Sequence, residues 1–199
     1  LQNGEVLGHN AKVKKASRKT VNSTFATPFY KKSQVVDHYN QLVLSFKGDY
    51  SLEFRVYDDG AAYRFHTNRK KEQTVFAEEA NFTFAGDYQA FVPYINDQRS
   101  GERYSYSFES FYDEVKISQI PVDSLAIVPL LVELPQGKKA LLMEGDLEDY
   151  PGMFLTRNGE QKNTISGAFA PYPLEGKIGG HNELNIIPTK RADYIAKLK

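Results

Sequence analysis

The sequence predicts an all-β fold, and three observations lead to that prediction. Short segments alternate between apolar and polar residues with a period of two, which is typical of strands. Gly, Pro, Asn and Asp recur between these segments and indicate turns. No long amphipathic helical pattern is found in the 199 residues. The pattern therefore favours a β-sandwich or a barrel.

Composition and charge exclude several classes of function. The 25 basic and 25 acidic residues give a formal net charge of zero, whereas nucleic-acid and membrane-surface partners require a basic excess. The chain has no cysteine, so disulfides and thiolate metal sites are excluded and the redox compartment stays open. No apolar run approaches the length of a membrane span, which predicts a soluble chain.

The length fits one large domain, and we assign residues 1–199 to a single domain. Leu1 is not an initiator methionine, and the residues after it lack the charged and apolar pattern of a secretory signal. These features indicate the interior of a longer polypeptide.

The first half of the chain contains the clearest strand patterns. Ala11–Val21 is basic and weakly extended, and Val35–Phe46 is a long strand that becomes apolar toward its end. Tyr50–Tyr57 alternates cleanly, and Ala61–Thr67 is its return strand. Asp59-Gly60 between them predicts a two-residue type I′ turn in which the glycine takes a positive φ.

That predicted register has a consequence for one face of the sheet. It sets Arg55 opposite Arg64, which is unfavourable, so a carboxylate is expected nearby and Glu53 is the local candidate. Together with His66 these residues form a charged face. The face either meets solvent or another layer, which we favour, or takes part in catalysis.

The rest of the chain predicts shorter strands separated by turns. They are Thr74–Glu78, Asn81–Phe84, Gln89–Ile95, Tyr104–Phe108, Val115–Ile120, Leu125–Leu134, Lys139–Glu144, Thr164–Ala170 and Asp193–Leu198. Leu125–Leu134 is the most apolar run and predicts a strand buried on both faces, interrupted by Pro129. Gly176–Gly180 indicates a flexible stretch.

One acidic stretch has the right residue types for calcium. Its four carboxylates are Glu144, Asp146, Glu148 and Asp149. Their spacing differs from the D-x-D/N-x-D/N-G pattern of calcium loops. We therefore favour a solvated turn with one structural carboxylate over a local calcium site.

Sequence motifs for most catalytic classes are missing. The chain contains no phosphate loop, dinucleotide fingerprint, nucleophile elbow or H-E-x-x-H motif. His9, His38, His66 and His181 are scattered without the spacing of metal ligands. Two carboxylates that are distant in the sequence can lie close together in the folded protein, and no sequence motif reveals such a pair. The residues alone therefore assign no catalytic side chain.

Glu102 is the one carboxylate that the pattern marks for function. It lies between the turn Asn96–Gly101 and the predicted strand Tyr104–Phe108, where a sheet can hold it while the turn keeps it accessible. Arg99 and Arg103 flank it, and a surface salt bridge with either is the alternative. From the residues alone, that alternative is favoured.

Three stretches resemble the amino-terminal domain of glycoside hydrolase family 97, the family of α-glucosidases and α-galactosidases. DHYNQLVLSF (Asp37–Phe46) resembles the family's N-x-Y-N-E-L strand, with His38 and Gln41 as departures. LEFRVYDDGAAYRF (Leu52–Phe65) resembles its R-F-R-x-x-D-G-x-x-F-R-Y hairpin, and MEGDLEDYPGMFL (Met143–Leu155) its E-A-D-L-x-D-Y-P-G-M segment. Order and spacing agree over most of the chain.

The resemblance implies a β-supersandwich similar to galactose mutarotase-like domains, packed on a (β/α)₈ barrel that carries the catalytic carboxylates. It also implies that one glutamate of this domain reaches a calcium ion in the active site of the barrel. The matching position is Glu102, after Phe91-Val92-Pro93 and before Tyr104, although Arg103 offsets the match by a residue.

The resemblance further implies what the chain lacks. The family domain begins some strands earlier, after a secretory signal, and the linker to the barrel starts near Tyr194–Lys199. We therefore expect a periplasmic or secreted enzyme whose first strands and barrel lie outside this chain. The chain by itself should be inactive.

The predicted function is that of a non-catalytic domain that packs on the barrel and contributes Glu102 to a calcium site for α-glycosidic bond hydrolysis. The α-linked oligosaccharide substrate would lie at the domain interface. The alternatives are a stand-alone carbohydrate-binding module, using Tyr94, Tyr104 and Tyr106, and a purely structural β-domain. Inversion or retention depends on barrel carboxylates that the sequence does not contain.

Overall fold

The computed structural model describes residues 1, 4–96, 101–179 and 186–198. Within those residues the secondary structure consists of β-strands and short 3₁₀ turns, without an α-helix. The prediction of an all-β fold is confirmed. The chain divides into two compact units, formed by residues 4–73 and 74–198. The assignment of residues 1–199 to a single domain stays a prediction.

The first unit contains one antiparallel sheet in which each strand pairs with the next along the chain. Its strands are β1 Val13–Ala26, β2 Gln34–Phe46, β3 Tyr50–Val56 and β4 Ala61–Thr67. β1 and β2 form a long hairpin, and the turn after β2 places Gly48 at φ 100° and Asp49 at φ 58°. Positive φ is the conformation for which Gly and Asp are most tolerant, which explains the residues at this turn.

The β3–β4 hairpin corrects the predicted turn. The Tyr57 amide donates to the Gly60 carbonyl at 2.8 Å, so the loop residues are Asp58 and Asp59. Gly60 does not have a positive φ, and the predicted type I′ turn at Asp59-Gly60 is wrong.

The register is corrected with the turn. Glu53, and not Arg55, lies opposite Arg64, and Arg55 lies opposite Ala62. Opposite charges therefore pair across the strands and the repulsion between two arginines is avoided, which is the physical reason for the shift. Because the partner shifts by two residues, each side chain keeps the face that the alternation predicted.

The second unit contains shorter strands in several small sheets. They are β5 Gln73–Val75, β6 Asn81–Thr83, β7 Gln89–Val92, β8 Asp113–Lys116, β9 Leu130–Glu133, β10 Lys139–Leu142, β11 Met153–Arg157, β12 Thr164–Phe169, β13 Pro173–Ile178, β14 Ile186–Arg191 and β15 Ala196–Leu198. The sheets have the strand orders β10-β9-β7-β8, β11-β12-β6, β13-β14 and β15-β5.

The hydrophobic core of this unit comes from its strands and from the segments next to them, including the 3₁₀ turn Ile117–Gln119. Ile117, Leu130, Leu155 and Ile165 are each at most 1% exposed. Burying a side chain of this kind contributes roughly 1.5–3 kcal/mol. Leu130 and Leu155 alternate with half-buried residues on β9 and β11, as period-two patterning requires, whereas β12 begins with two buried residues.

Two predicted features of this unit are wrong. The apolar run Leu125–Leu134 forms a strand only after Pro129, and β9 alternates between buried and half-buried residues. Gly176, predicted to be flexible, lies within β13, opposite Pro188 of β14. A Cβ at Gly176 would meet Ile186 Cγ2 at 2.5 Å, so the glycine permits close strand packing.

Candidate functional site

Glu102 begins a 3₁₀ turn, Arg103–Ser105, where the alternation predicted a strand over Tyr104–Phe108. The Tyr104 amide donates to Glu102 Oε1 at 3.3 Å, and Ser105 Oγ donates to Oε2 at 2.6 Å. The carboxylate thus accepts hydrogen bonds from two donors at the start of the turn. These hydrogen bonds stabilise the turn relative to an extended strand. The predicted strand is therefore wrong, and Glu102 is a capping residue.

The partner of Glu102 is Arg191, the last residue of β14. Arg191 Nε donates to Oε1 at 3.0 Å and Nη2 donates to Oε2 at 2.8 Å. The two side chains are only 17% and 21% exposed. This paired geometry is the strong form of an arginine–carboxylate interaction, and partial burial reduces its screening by water.

Arg191 makes two further contacts that fix its position. Nη1 donates to the Pro171 carbonyl at 2.6 Å, and the guanidinium lies 5.4 Å from the centre of the Tyr104 ring. Tyr104 also packs on Phe154, with the ring centres 5.7 Å apart. Arg191 therefore links the Glu102 turn to the segment before β13.

The same contacts decide the protonation state of Glu102. Burial acts to raise its pKa, but hydrogen bonds from Arg191, Ser105 and the Tyr104 amide, and the charge of Arg191, lower it by more. The pKa of Glu102 lies below its usual value, so the side chain is an anion at neutral pH.

The predicted partners of Glu102 were different. Arg103 donates instead to the Asp123 carbonyl at 2.6 Å, and Arg99 lies outside the described residues. No short-range pattern indicates Arg191 as the partner, because it lies 89 residues from Glu102 along the chain. A lone arginine at a strand end carries no signal of such a partner.

The described residues do not form a calcium site by themselves. Calcium takes about 6–8 oxygen ligands, yet among the described residues no three His, Cys, Asp or Glu side chains come together to hold a metal. A carboxylate offers about four acceptor positions, and Glu102 already uses both oxygens twice, for Arg191, Ser105 and the Tyr104 amide.

The charged face predicted on the first sheet is a second cluster around a carboxylate. Glu53 Oε1 accepts from Gln41 at 2.6 Å and from Arg55 at 2.7 Å, and Oε2 lies 2.9 Å from His66 Nε2. Burial acts to raise the pKa of Glu53, but these hydrogen bonds lower it to about 2. The expectation of a carboxylate on this face is confirmed.

The Glu53 cluster is an internal network of ion pairs. Glu53 is 13% exposed, and an ionised carboxylate can only accept, so His66 Nε2 is the donor. Arg55 also lies 4.9 Å from the centre of the buried Tyr39 ring. The cluster therefore stabilises three adjacent strands, and a catalytic role gains no support from this geometry.

The acidic stretch 144–149 agrees with a solvated turn that has one structural carboxylate. Both oxygens of Glu144 accept from the Met153 amide, at 2.9 and 3.0 Å, at the start of β11. The other three carboxylates of the stretch are exposed. The adjacent Tyr150 donates to Glu78 at 2.7 Å, and burial raises its pKa far above the usual range.

The tyrosines proposed for sugar binding are only partly exposed. Burial raises the pKa of Tyr94 to about 12, and Tyr104 is already in contact with Phe154 and two guanidinium groups. Phe29 and Phe111, at 100% and 94% exposure, are the more open aromatic side chains.

The histidines show no common site. His66 belongs to the Glu53 cluster, His9 and His38 are exposed, and His181 lies outside the described residues. A membrane-crossing helix, which needs a long apolar run, is not found in the described part of the chain.

Comparison with known proteins gives one family. The family model described as Glycosyl-hydrolase 97 N-terminal matches residues 1–187. A protein named retaining alpha-galactosidase, from Bacteroides thetaiotaomicron, is 41% identical over 201 residues. That alignment includes 100% of this chain and 30% of the relative, so the chain spans about a third of the relative's length.

Solved structures share the fold. A glycoside hydrolase family 97 enzyme in complex with acarbose, from Pseudoalteromonas sp. strain K8, has a TM-score of 0.66 at 20% identity. That match covers 81% of this chain and 24% of the enzyme. A β-arabinopyranosidase has a TM-score of 0.71 at 20% identity, covering 95% of this chain and 30% of that one.

Proposed function

Since this chain belongs to the glycosyl-hydrolase 97 N-terminal family, we propose that it serves as the non-catalytic domain of a larger glycosidase. The family match over residues 1–187 carries the proposal. The enzyme as a whole would hydrolyse α-glycosidic bonds, with α-galactosides as the first substrate class to test because the relative at 41% identity bears that name. The catalytic acids would lie in a (β/α)₈ barrel on which this domain packs.

The role of this domain would be to support the active site from outside. In the proposed arrangement the α-linked oligosaccharide binds at the interface with the barrel, in the periplasm or outside the cell. The isolated chain should not cleave an aryl α-galactoside, whereas the complete enzyme should. Hydrolysis by the isolated chain would contradict the assignment of catalysis to the barrel.

Glu102 is the proposed contribution of this domain to an active-site calcium. Its ionised state and its fixed position at a short turn support the proposal. Calcium prefers carboxylate oxygens and would orient substrate and catalytic groups. The carboxylate becomes available only when hydrogen bonds from the protein, those of Arg191 above all, are released.

The second candidate is a purely structural domain that supplies no ligand. The full use of the Glu102 oxygens by protein donors favours it. A carbohydrate-binding module is the less favoured alternative, because Tyr94, Tyr104 and Tyr106 are partly buried. Saturable binding of α-linked oligosaccharides to the isolated chain would favour the module.

Charge-removing variants of the complete enzyme separate the first two candidates. Glu102→Gln should weaken calcium binding and lower kcat, whereas the control Glu160→Gln, at an exposed position, should change neither. If Glu102→Gln and Glu109→Gln both leave calcium affinity unchanged, the structural role is the correct one. Glu109→Gln belongs in the same series, because this exposed carboxylate lies seven residues further along the same stretch. A loss of affinity in that variant alone would move the ligand to Glu109.

A further inference from the structure

The long β1–β2 hairpin extends beyond the sheet to which it belongs. β3 pairs with residues 40–46 of β2, so among the described strands residues 34–39 of β2 pair only with residues 21–26 of β1. We call this two-stranded part, with its loop 27–33, the hairpin arm. Six residues of extended strand reach about 20 Å. Because a two-stranded hairpin is at best marginally stable in water, such an arm gains stability from a surface that covers it.

The tip of the hairpin arm carries exposed aromatic side chains. Phe29 is 100% exposed and Tyr30 is 64% exposed, and both lie in the loop. Phe25 and Val36, near the ends of the two strands, are exposed as well. Scattered single apolar residues are ordinary on a protein surface, but apolar side chains gathered at one loop indicate an interaction site.

The loop that presents these side chains is closed by its own hydrogen bonds. The Thr27 amide donates to the Ser33 carbonyl at 3.0 Å, and Thr27 Oγ1 donates to the Lys32 carbonyl. Pro28 follows Thr27 and restricts the backbone further. A loop that is already ordered loses less conformational entropy when it binds. The aromatic side chains of the tip are therefore presented in a form ready for contact.

We infer that the hairpin arm is a docking element, and that its tip inserts into an apolar pocket on the catalytic part of the same polypeptide. The inference rests on that part of the proposed function which makes this chain one domain of a larger enzyme, and it names the segment that makes the contact. Charge describes the pocket further. Lys31 and Lys32 follow the aromatic pair and are exposed, and no acidic residue occurs among residues 21–36. The rim of the pocket should therefore carry carboxylates.

The size of the tip favours a contact within one polypeptide over a contact between two proteins. A stable interface between separate proteins buries about 800 Å² on each of them, whereas Phe29 and Tyr30 together offer about 300–500 Å². Within one polypeptide the covalent linkage supplies a high effective concentration, so a smaller contact is sufficient. The related retaining alpha-galactosidase is long enough to provide the second surface, since this chain spans 30% of it.

Hydrogen exchange of the loop amides, followed by mass spectrometry of peptides from residues 25–33, tests the inference. In the chain of 199 residues these amides should exchange at the rate of an exposed loop. In the complete enzyme the same amides should exchange about tenfold more slowly, because the pocket covers them. Equal rates in the two proteins would overturn the inference.

Variants of the complete enzyme connect that protection to the tip. Phe29→Ser should return the loop amides to the rate found in the chain alone, whereas Phe29→Leu, which keeps an apolar side chain, should retain most of the protection. Neither should move the urea midpoint of the chain alone, where Phe29 is fully exposed. Val6→Ser is the control, because Val6 is an exposed apolar residue of the same compact unit and should not affect the loop. Protection that survives both Phe29→Ser and Tyr30→Ser would overturn the inference.

Two further measurements separate a second copy, and the proposed function, from the inference. Protection that rises with enzyme concentration, together with a doubled mass in light scattering, would place a second copy on the tip and overturn the inference. Hydrolysis of an aryl α-galactoside by a complete enzyme with an unprotected tip would reject the docking element and leave the proposed function intact. A protected tip in a complete enzyme that hydrolyses no α-glycoside would support the docking element and reject the proposed activity.

Discussion

Two carboxylates in this protein have the same kind of partner but different origins. Glu53 accepts hydrogen bonds from Arg55, two residues along its own strand, and from its neighbours on adjacent strands. Glu102 is paired with Arg191, which lies 89 residues away on β14. The Glu53 cluster reinforces a sheet that is already paired by its backbone. The Glu102 pair instead joins the 3₁₀ turn Arg103–Ser105 to β14, and in the described sheets these two segments are not paired as strands.

Arg191→Met should produce the largest loss of stability. Removal of the guanidinium leaves Glu102 mostly buried without a counter-ion, so the free energy of unfolding should fall by about 3 kcal/mol. Urea denaturation of the chain at pH 7 measures it. The control Lys190→Met removes an exposed partner and should cost less than about 0.5 kcal/mol. Equal effects of the two variants would show that the Arg191 pair is an ordinary surface pair.

Glu53→Gln should cost about 2 kcal/mol at pH 7, because the amide cannot offer a negative charge to Arg55. The folded-state pKa of Glu53 is lowered to about 2. A lowered pKa stabilises the folded state above the unfolded value near pH 4.5, and this contribution is lost as pH falls through 2. The difference between wild type and variant should therefore shrink over that window.

Glu133→Gln is the control for that pH series. Glu133 pairs with Lys139 on the surface, so its substitution should have little effect at any pH. A Glu53→Gln effect that does not change between pH 5 and pH 2 would contradict the assigned pKa.

Gly176→Ala should cost about 1–2 kcal/mol by forcing β13 away from β14, the strand that carries Arg191. The added methyl would meet Ile186 Cγ2 at 2.5 Å. Gly60→Ala is the control at the β3–β4 turn, where a Cβ meets nothing within 4 Å and φ is not positive. Thermal unfolding compares the two, and a neutral Gly176→Ala would show that β14 tolerates movement.

Tyr150→Phe should have the smallest effect, about 1 kcal/mol. It removes the hydroxyl that donates to Glu78 at 2.7 Å but leaves the ring against Phe169. Glu78 is half-buried and can bind water in place of the hydroxyl, so this variant should lose less stability than Arg191→Met does. Urea denaturation of Tyr150→Phe and of Arg191→Met under the same conditions compares their losses of stability. A larger loss in Tyr150→Phe would contradict the expected order.

Sequence patterns predicted those features that depend on neighbours along the chain. Alternation located β2, β3 and β4, and the repulsion expected between arginines pointed to Glu53 as their compensating carboxylate. The same reasoning misplaced the β3–β4 turn. The Asp59-Gly60 dipeptide favours a turn one residue later than the observed one, whereas the observed turn sets Glu53 opposite Arg64.

The Glu102 turn shows why the rest could not be predicted. Tyr104–Phe108 alternates like a strand, but the carboxylate of Glu102 satisfies local donors and stabilises a 3₁₀ turn instead. Its pairing with Arg191 depends on the placement of β14, which no short-range pattern specifies. Family resemblance selected Glu102 but gave no indication of its arginine partner.

The most direct test is a double-mutant cycle of Glu102→Gln and Arg191→Met, measured with and without saturating calcium in the complete enzyme. Without calcium, the coupling free energy between the two side chains should be about 2 kcal/mol. With calcium bound to Glu102, the coupling should fall to near zero because the metal has replaced the guanidinium. A coupling that calcium leaves unchanged would show that Glu102 stays paired with Arg191, and would contradict the proposed role of Glu102 as a calcium ligand.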